Sequence, residues 1–99
     1  MANIDPVKAS PDNYKLLFEN EHVKVLEMNL KAGTTDSEHS HRAETVYFIS
    51  GSSVKIHLPD GGVAEADIPD GHVMYSEPWT HKVENVGTKD LRAIIVEAQ

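Results

Sequence analysis

The chain contains no cysteine. Disulfides, thiolate nucleophiles and Cys-ligated zinc or iron–sulfur sites are therefore excluded, and any metal must be held by His, Asp or Glu. Long hydrophobic runs are missing as well. Nothing approaches the roughly eighteen consecutive apolar residues of a membrane helix, so no membrane partner is expected. The N-terminal MANIDPVKAS has neither the basic start and apolar core of a secretory signal nor the Arg-rich character of a transit peptide. A cytoplasmic location is the expectation. Positive charge is scarce: 9 Lys and Arg stand against 16 Asp and Glu, the formal net charge is −7, and the cations form no stripe. Nucleic-acid binding needs clustered cations to displace condensed counterions, so none is expected, and the acidity reads as a solubilising surface.

A sustained helical period is also absent. In its place, turn chemistry recurs at Lys31-Ala32-Gly33, Ser50-Gly51-Ser52, Pro59-Asp60-Gly61-Gly62, Pro69-Asp70-Gly71 and Asn85-Val86-Gly87. Short strand-like runs lie between these points. Val54, Ile56 and Leu58 alternate with Lys55 and His57, the period of a strand with one face in a core. Residues 45–49 and 91–96 read as strands buried more fully, and residues 14–19, 23–30, 63–68, 73–76 and 81–85 complete the set. With 99 residues, 39% of them hydrophobic, one core is expected. About eight short strands and no covering helix predict an all-β, antiparallel jelly-roll β-barrel over residues 13–99. Residues 1–12, with Pro6 and Pro11, read as an extended N-terminal arm laid on the barrel or on another subunit, its first five residues frayed.

Against this framework, His39-Ser40-His41 is the first chemically pointed feature. On a strand, residues two apart share a face, so both imidazoles project together and can share one divalent cation. Six histidines in 99 residues produce such a pair by chance often enough that it needs support. Forty residues on, the run from Gly71 through Pro78 and Trp79 reaches His81 and then Asn85.

Taken together, Gly33, His39, His41, Glu44 and Gly51, followed by Gly71, Pro78, His81 and Asn85, resemble the paired motifs of the cupin superfamily. The resemblance covers about residues 14–97. It implies a small jelly-roll barrel in which His39, His41 and Glu44 from the first motif and His81 from the second hold a divalent transition metal such as Ni, Zn, Fe or Mn. Three departures stand out: the His41–Glu44 interval is short, Trp79 stands where glycine is usual in a shortened loop, and His72 replaces a common aspartate. The first has a physical consequence. In one regular strand over residues 39–49, Glu44 would point away from His39 and His41, and only a bulge or sharp turn at Arg42-Ala43 returns its carboxylate to them.

His22, His57 and His72 fall outside the ligand pattern and read as turn or solvated residues. Tyr47, Met74, Tyr75 and Trp79 are candidates for a pocket wall: Tyr47 reads chiefly as core, and Trp79 either roofs the pocket or enters a dimer contact. Asn85 reads as a structural polar group at a strand end, and Arg42 and Glu77 as solvated charges near the motif. The resemblance permits dioxygenase, isomerase or lyase chemistry on a small organic substrate, and equally a non-enzymatic ligand-binding or sensing barrel, or a relic that binds nothing. No catalytic base is singled out. A homodimer is expected because exposed edge strands need cover.

Overall fold

The computed structural model describes residues 3–99. Nine strands follow one short helix: α1 (Pro6–Ala9), β1 (Tyr14–Glu19), β2 (Val23–Leu30), β3 (His39–His41), β4 (Glu44–Ser50), β5 (Ser53–His57), β6 (Val63–Asp67), β7 (Val73–Ser76), β8 (Trp79–Asn85) and β9 (Leu91–Ala98). The ninth, beyond the eight expected, is the three-residue β3. The strands form a five-stranded sheet in the order β1-β2-β9-β4-β7 and a four-stranded sheet in the order β3-β8-β5-β6, and every ladder between them is antiparallel. The jelly roll is thus two open sheets, not a hydrogen-bonded closed barrel. Only the isolated Thr35–Glu84 bridge is added to these ladders among the described residues.

The core lies between the sheets, because period-2 alternation sends one residue in two inward. Leu26, Leu30, Val54, Leu91 and Ala93 are almost fully buried there. Residues 45–49 and 91–96, which read as strands buried more fully, bury one face and largely expose the other. Glu44, Val46 and Phe48 are buried while Thr45, Tyr47 and Ile49 are exposed, and β9 alternates in the same way. An apolar residue on the outer side of a sheet reads in sequence like a core residue, which is why Tyr47 was misassigned. Gly51 follows β4 where a side chain is impossible: a Cβ there would fall 1.8 Å from the Ile68 carbonyl oxygen.

The N-terminal segment differs from the extended arm expected of it, of which Met1 and Ala2 lie outside the described residues. Residues 6–9 form a helical turn, started by Pro6 and capped by Asp5, whose Oδ1 accepts the Val7 N–H at 2.9 Å. Ile4 is tied down rather than frayed. Its N–H donates to Ser40 Oγ at 3.1 Å, and its carbonyl accepts the Ser40 N–H at 2.7 Å, so the segment covers the free edge of β3.

Candidate metal centre

The parity problem at Glu44 is resolved by a change of sheet. β3 pairs with β8, whereas β4 pairs with β7 and β9, and the chain bends at Ala43 between them. The bend resets the alternation, so His39, His41 and Glu44 are all buried. Register then brings in the second motif: His39 faces His81 across the β3–β8 ladder, and His41 faces Trp79. The three imidazole rings sit 4.7–5.3 Å apart at mutual angles of 84°, 79° and 71°.

Each ring offers one nitrogen, and the three nitrogens lie within 4.8 Å of one another. An ion with Zn–N bonds of about 2.0–2.1 Å sets its ligand atoms roughly 3–4 Å apart, so the widest of these separations has to close by about 1–2 Å. Their hydrogen bonds fix which atoms are available. A carbonyl only accepts, so the 2.7 Å contact with the Ser37 carbonyl places the proton of His39 on Nδ1 and leaves Nε2 with a lone pair. His41 Nδ1 likewise donates to Glu97 Oε2 at 2.7 Å, which frees its Nε2. His81 Nδ1 is buried with no hydrogen-bond partner among the described residues.

Burial disfavours charge on these rings. Desolvation lowers His39 to about 4, against which its Ser37 hydrogen bond acts, and lowers His81 to about 2 with help from the neighbouring His39 and His41. Both are neutral at pH 7, the form that binds metals. Around them, Asp36, Glu44 and Glu97 are buried, yet among the described residues no lysine or arginine is. Desolvation raises Glu44, and also Asp36, the latter to about 6. Three converging imidazoles, an orphan ring nitrogen and buried acids with no lysine or arginine among them fit a divalent ion.

Glu44 does not belong to the converging set. Its Oε1 lies 3.6 Å from His41 Nδ1, on the ring edge that also meets Glu97, and its Oε2 accepts the indole N–H of Trp79. Three further participants were missed in the sequence. Tyr14 donates its hydroxyl proton to Asp36 Oδ2 at 2.8 Å and lies 3.1 Å from His39 Nε2. Asp36 also accepts the Val83 N–H, pinning the loop before β3 to β8. Glu97 could have been found by parity, since it shares the inward register of Leu91, Ala93 and Ile95.

A cavity of about 60 Å³ adjoins the cluster, lined by Tyr14, His41, Glu44, Trp79 and His81 on its polar side and otherwise by apolar side chains such as Phe48 and Met74. His41 and Trp79 also border a surface groove of about 550 Å³ between Pro59 and Thr80. Of the four pocket-wall candidates, Met74 and Trp79 line the cavity, and Tyr47 and Tyr75 point outward. His57 is half-buried beside Glu84, His72 stacks on Phe48, and His22 is exposed next to Glu21. Asn85 is structural as expected, donating to the Leu30 and Lys89 carbonyls and accepting from Ser52. Arg42 and Glu77 are exposed.

No protein-family model matches the chain, and no curated protein is similar to it in sequence. Its structure, in contrast, matches 225 solved chains. A cupin domain from Bordetella pertussis Tohama I superposes with a TM-score of 0.77 at 19% identity, covering 100% of this chain and 98% of that one. An RmlC-like cupin family protein with a double-stranded β-helix fold from Methanocaldococcus jannaschii gives 0.67 at 18%, covering 86% and 77%. The polyketide cyclase RemF from Streptomyces resistomycificus gives 0.65 at 17%, covering 95% and 68%.

Proposed function

We propose that this chain, which has the cupin fold, is a metal-binding protein whose ion is held by His39, His41 and His81 and faces a small organic ligand. The observation that carries the reading is the orphan His81 nitrogen within a buried imidazole cluster flanked by buried carboxylates, with no buried lysine or arginine among the described residues. Zinc, nickel, iron and manganese all suit such donors. Bound there, the ion would supply Lewis acidity toward a carbonyl or carboxylate oxygen, or a site for oxygen chemistry of the dioxygenase type.

The chain's own residues have separate parts. The Ser37 carbonyl and Glu97 hold the tautomers of His39 and His41, while Trp79 holds Glu44 beside the site, away from the converging nitrogens. Beyond these polar groups the cavity wall is apolar. Because neither lysine nor arginine lines the cavity, the ligand is a small, largely apolar molecule with a single oxygen-donor head, neutral or singly negative. Dioxygenase, isomerase and lyase reactions on such a molecule fall within this proposal, as does a cytoplasmic location. The small-molecule chemistry of the similar polyketide cyclase supports it.

One observation favours a non-enzymatic binding or sensing barrel instead. Both acidic groups that line the cavity, Tyr14 and Glu44, already have partners within the chain, Asp36 and Trp79. Elemental analysis of untagged protein tests the metal: wild type is expected to carry about one transition metal ion per chain, His81→Ala none, and Glu44→Ala the wild-type amount. Wild type that stays empty after zinc, nickel, manganese and iron(II) are offered rejects the reading. With metal bound, stabilisation by small carbonyl compounds without turnover would select the binding barrel.

A further inference from the structure

We propose that Tyr14 supplies a fourth donor atom to the ion, its phenol oxygen binding beside the three imidazole nitrogens. This rests on the metal reading given above and goes beyond it by naming an oxygen ligand that neither histidine motif contains. Tyr14 opens β1, pairs with Met28 across the ladder to β2, is 2% exposed and lines the cavity. Its hydroxyl oxygen lies 2.8 Å from Asp36 Oδ2 and 3.1 Å from His39 Nε2.

Counting protons singles that oxygen out. A tyrosine has one O–H, whereas the Asp36 carboxylate and His39 Nε2 are both acceptors, because the His39 proton sits on Nδ1 against the Ser37 carbonyl. The proton goes to the closer carboxylate. No hydrogen then separates the phenol oxygen from Nε2, and two lone pairs face one another at 3.1 Å. A buried pair of that kind is unfavourable alone and becomes favourable when both atoms bind one cation.

The spacing suits a shared ion. Donor atoms held at about 2.0–2.2 Å sit roughly 3–4 Å apart, and the Tyr14–His39 pair is already within that range. The carboxylates are placed differently. Glu97 Oε2 and Glu44 Oε1 meet His41 at Nδ1, at 2.7 and 3.6 Å, and Asp36 Oδ2 lies 3.8 Å from His39 Nδ1. Asp36 is itself pinned, since its Oδ1 accepts the Val83 N–H at 2.8 Å. The phenol is thus oriented before any ion arrives.

Coordination balances without an outside reactant. In the metal-free chain burial, reinforced by the Asp36 charge, pushes the hydroxyl well above its ordinary value of 10, so it stays protonated. As the oxygen bonds to the ion, its proton passes along the existing hydrogen bond to Asp36 Oδ2, leaving a phenolate on the metal and a neutral carboxyl beside it. The net charge of the Tyr14–Asp36 pair is unchanged.

The test uses copper(II), which binds nitrogen and oxygen sites more tightly than the other divalent first-row ions. One equivalent is added to the full chain and the visible spectrum is recorded, where a phenolate ligand gives a charge-transfer band that imidazole and carboxylate ligands do not. Wild type is expected to show the band, and Tyr14→Phe to lose it while still taking up copper(II). The double variant Tyr47→Phe, Tyr75→Phe, which leaves Tyr14 as the one tyrosine of the chain, should keep it. Both side chains replaced there are exposed, so this variant reads the site even where Tyr14→Phe does not fold. Copper(II) bound without the band, a band that survives in Tyr14→Phe, or a band lost with Tyr47 and Tyr75 overturns the role of Tyr14 and leaves the imidazole site standing. A wild type that takes up no copper(II) rejects the metal reading itself, and this proposal with it.

Discussion

The two sheets share one alternation rule and put it to opposite uses. The four-stranded sheet turns all three clustered imidazoles inward and shows water Lys55, Glu65, Asp67, Lys82 and Glu84. The five-stranded sheet turns Tyr14, Glu44 and Glu97 inward, the groups that hold or neighbour those imidazoles, and presents an apolar outer face. One sheet therefore supplies the clustered imidazoles and a solvated exterior. The other supplies hydrogen-bond partners for them and an apolar outer face. The lesson is that burial alone does not distinguish these tasks: Glu97 and His81 are equally enclosed, and only their partners tell them apart.

The sharpest way to break the comparison is to remove a donor from the imidazole sheet. His81→Ala is expected to abolish stoichiometric metal binding, a loss beyond the ~10–100-fold that removal of an outer partner causes. Glu97→Gln on the opposite sheet should weaken affinity by roughly that 10–100-fold while keeping the stoichiometry. Isothermal titration with zinc separates the two, and equal losses would erase the proposed division between donor and partner.

Acid should expose the same asymmetry in the metal-free protein. Unfolded His81 takes up a proton near the ordinary histidine value of 6.5, whereas the folded ring resists protonation down to about 2. Between those values the unfolded chain binds more protons, so the neutral ring's contribution is present above pH 6.5 and is lost as pH falls. Asp36 acts in the opposite sense: its folded value of about 6 lies above the ordinary 3.8, so its contribution grows as pH falls through that interval. Comparing wild type with His81→Gln cancels Asp36 to first order. Wild type should lose up to about 1.4 kcal/mol per pH unit relative to the variant from pH 6 to 4.5 in urea melts with chelator present. A constant difference would mean that His81 is not held neutral. The smallest effect is expected outside: Val63→Lys should change stability by no more than about 0.5 kcal/mol in the same melts, because that side of the four-stranded sheet already meets water.

Much of the fold was legible in the residues because turns and alternation are local. Gly33, Gly61 and Gly71 adopt positive φ at turns marked by their neighbours, and β1, β2 and β7 run as the pattern predicted. Burial was harder to read. Thr45 to Ile49 carry residues suited to either environment, and only the absence of a covering layer leaves Tyr47 and Ile49 outside. The imidazoles were visible through motif spacing, but Tyr14 and Glu97 were not, since they lie 25 and 56 residues from the histidines they meet, and Asp36 joins them from the loop before β3. The inward turn of Glu44 depends on a break at Ala43 that neither glycine nor proline announces.

By itself, the sequence determined an all-β chain with short antiparallel strands, no thiol chemistry and a histidine constellation divided between two distant segments. Those properties follow from residue identity and from the period of two. Tertiary structure decided that His39 lies opposite His81, that Glu97 accepts the His41 hydrogen bond while Glu44 turns to Trp79, and that one sheet's outer face is left uncovered by the described residues. Each of these depends on strand register and on how two sheets are stacked, quantities fixed by contacts across the whole chain and by no local stretch of it.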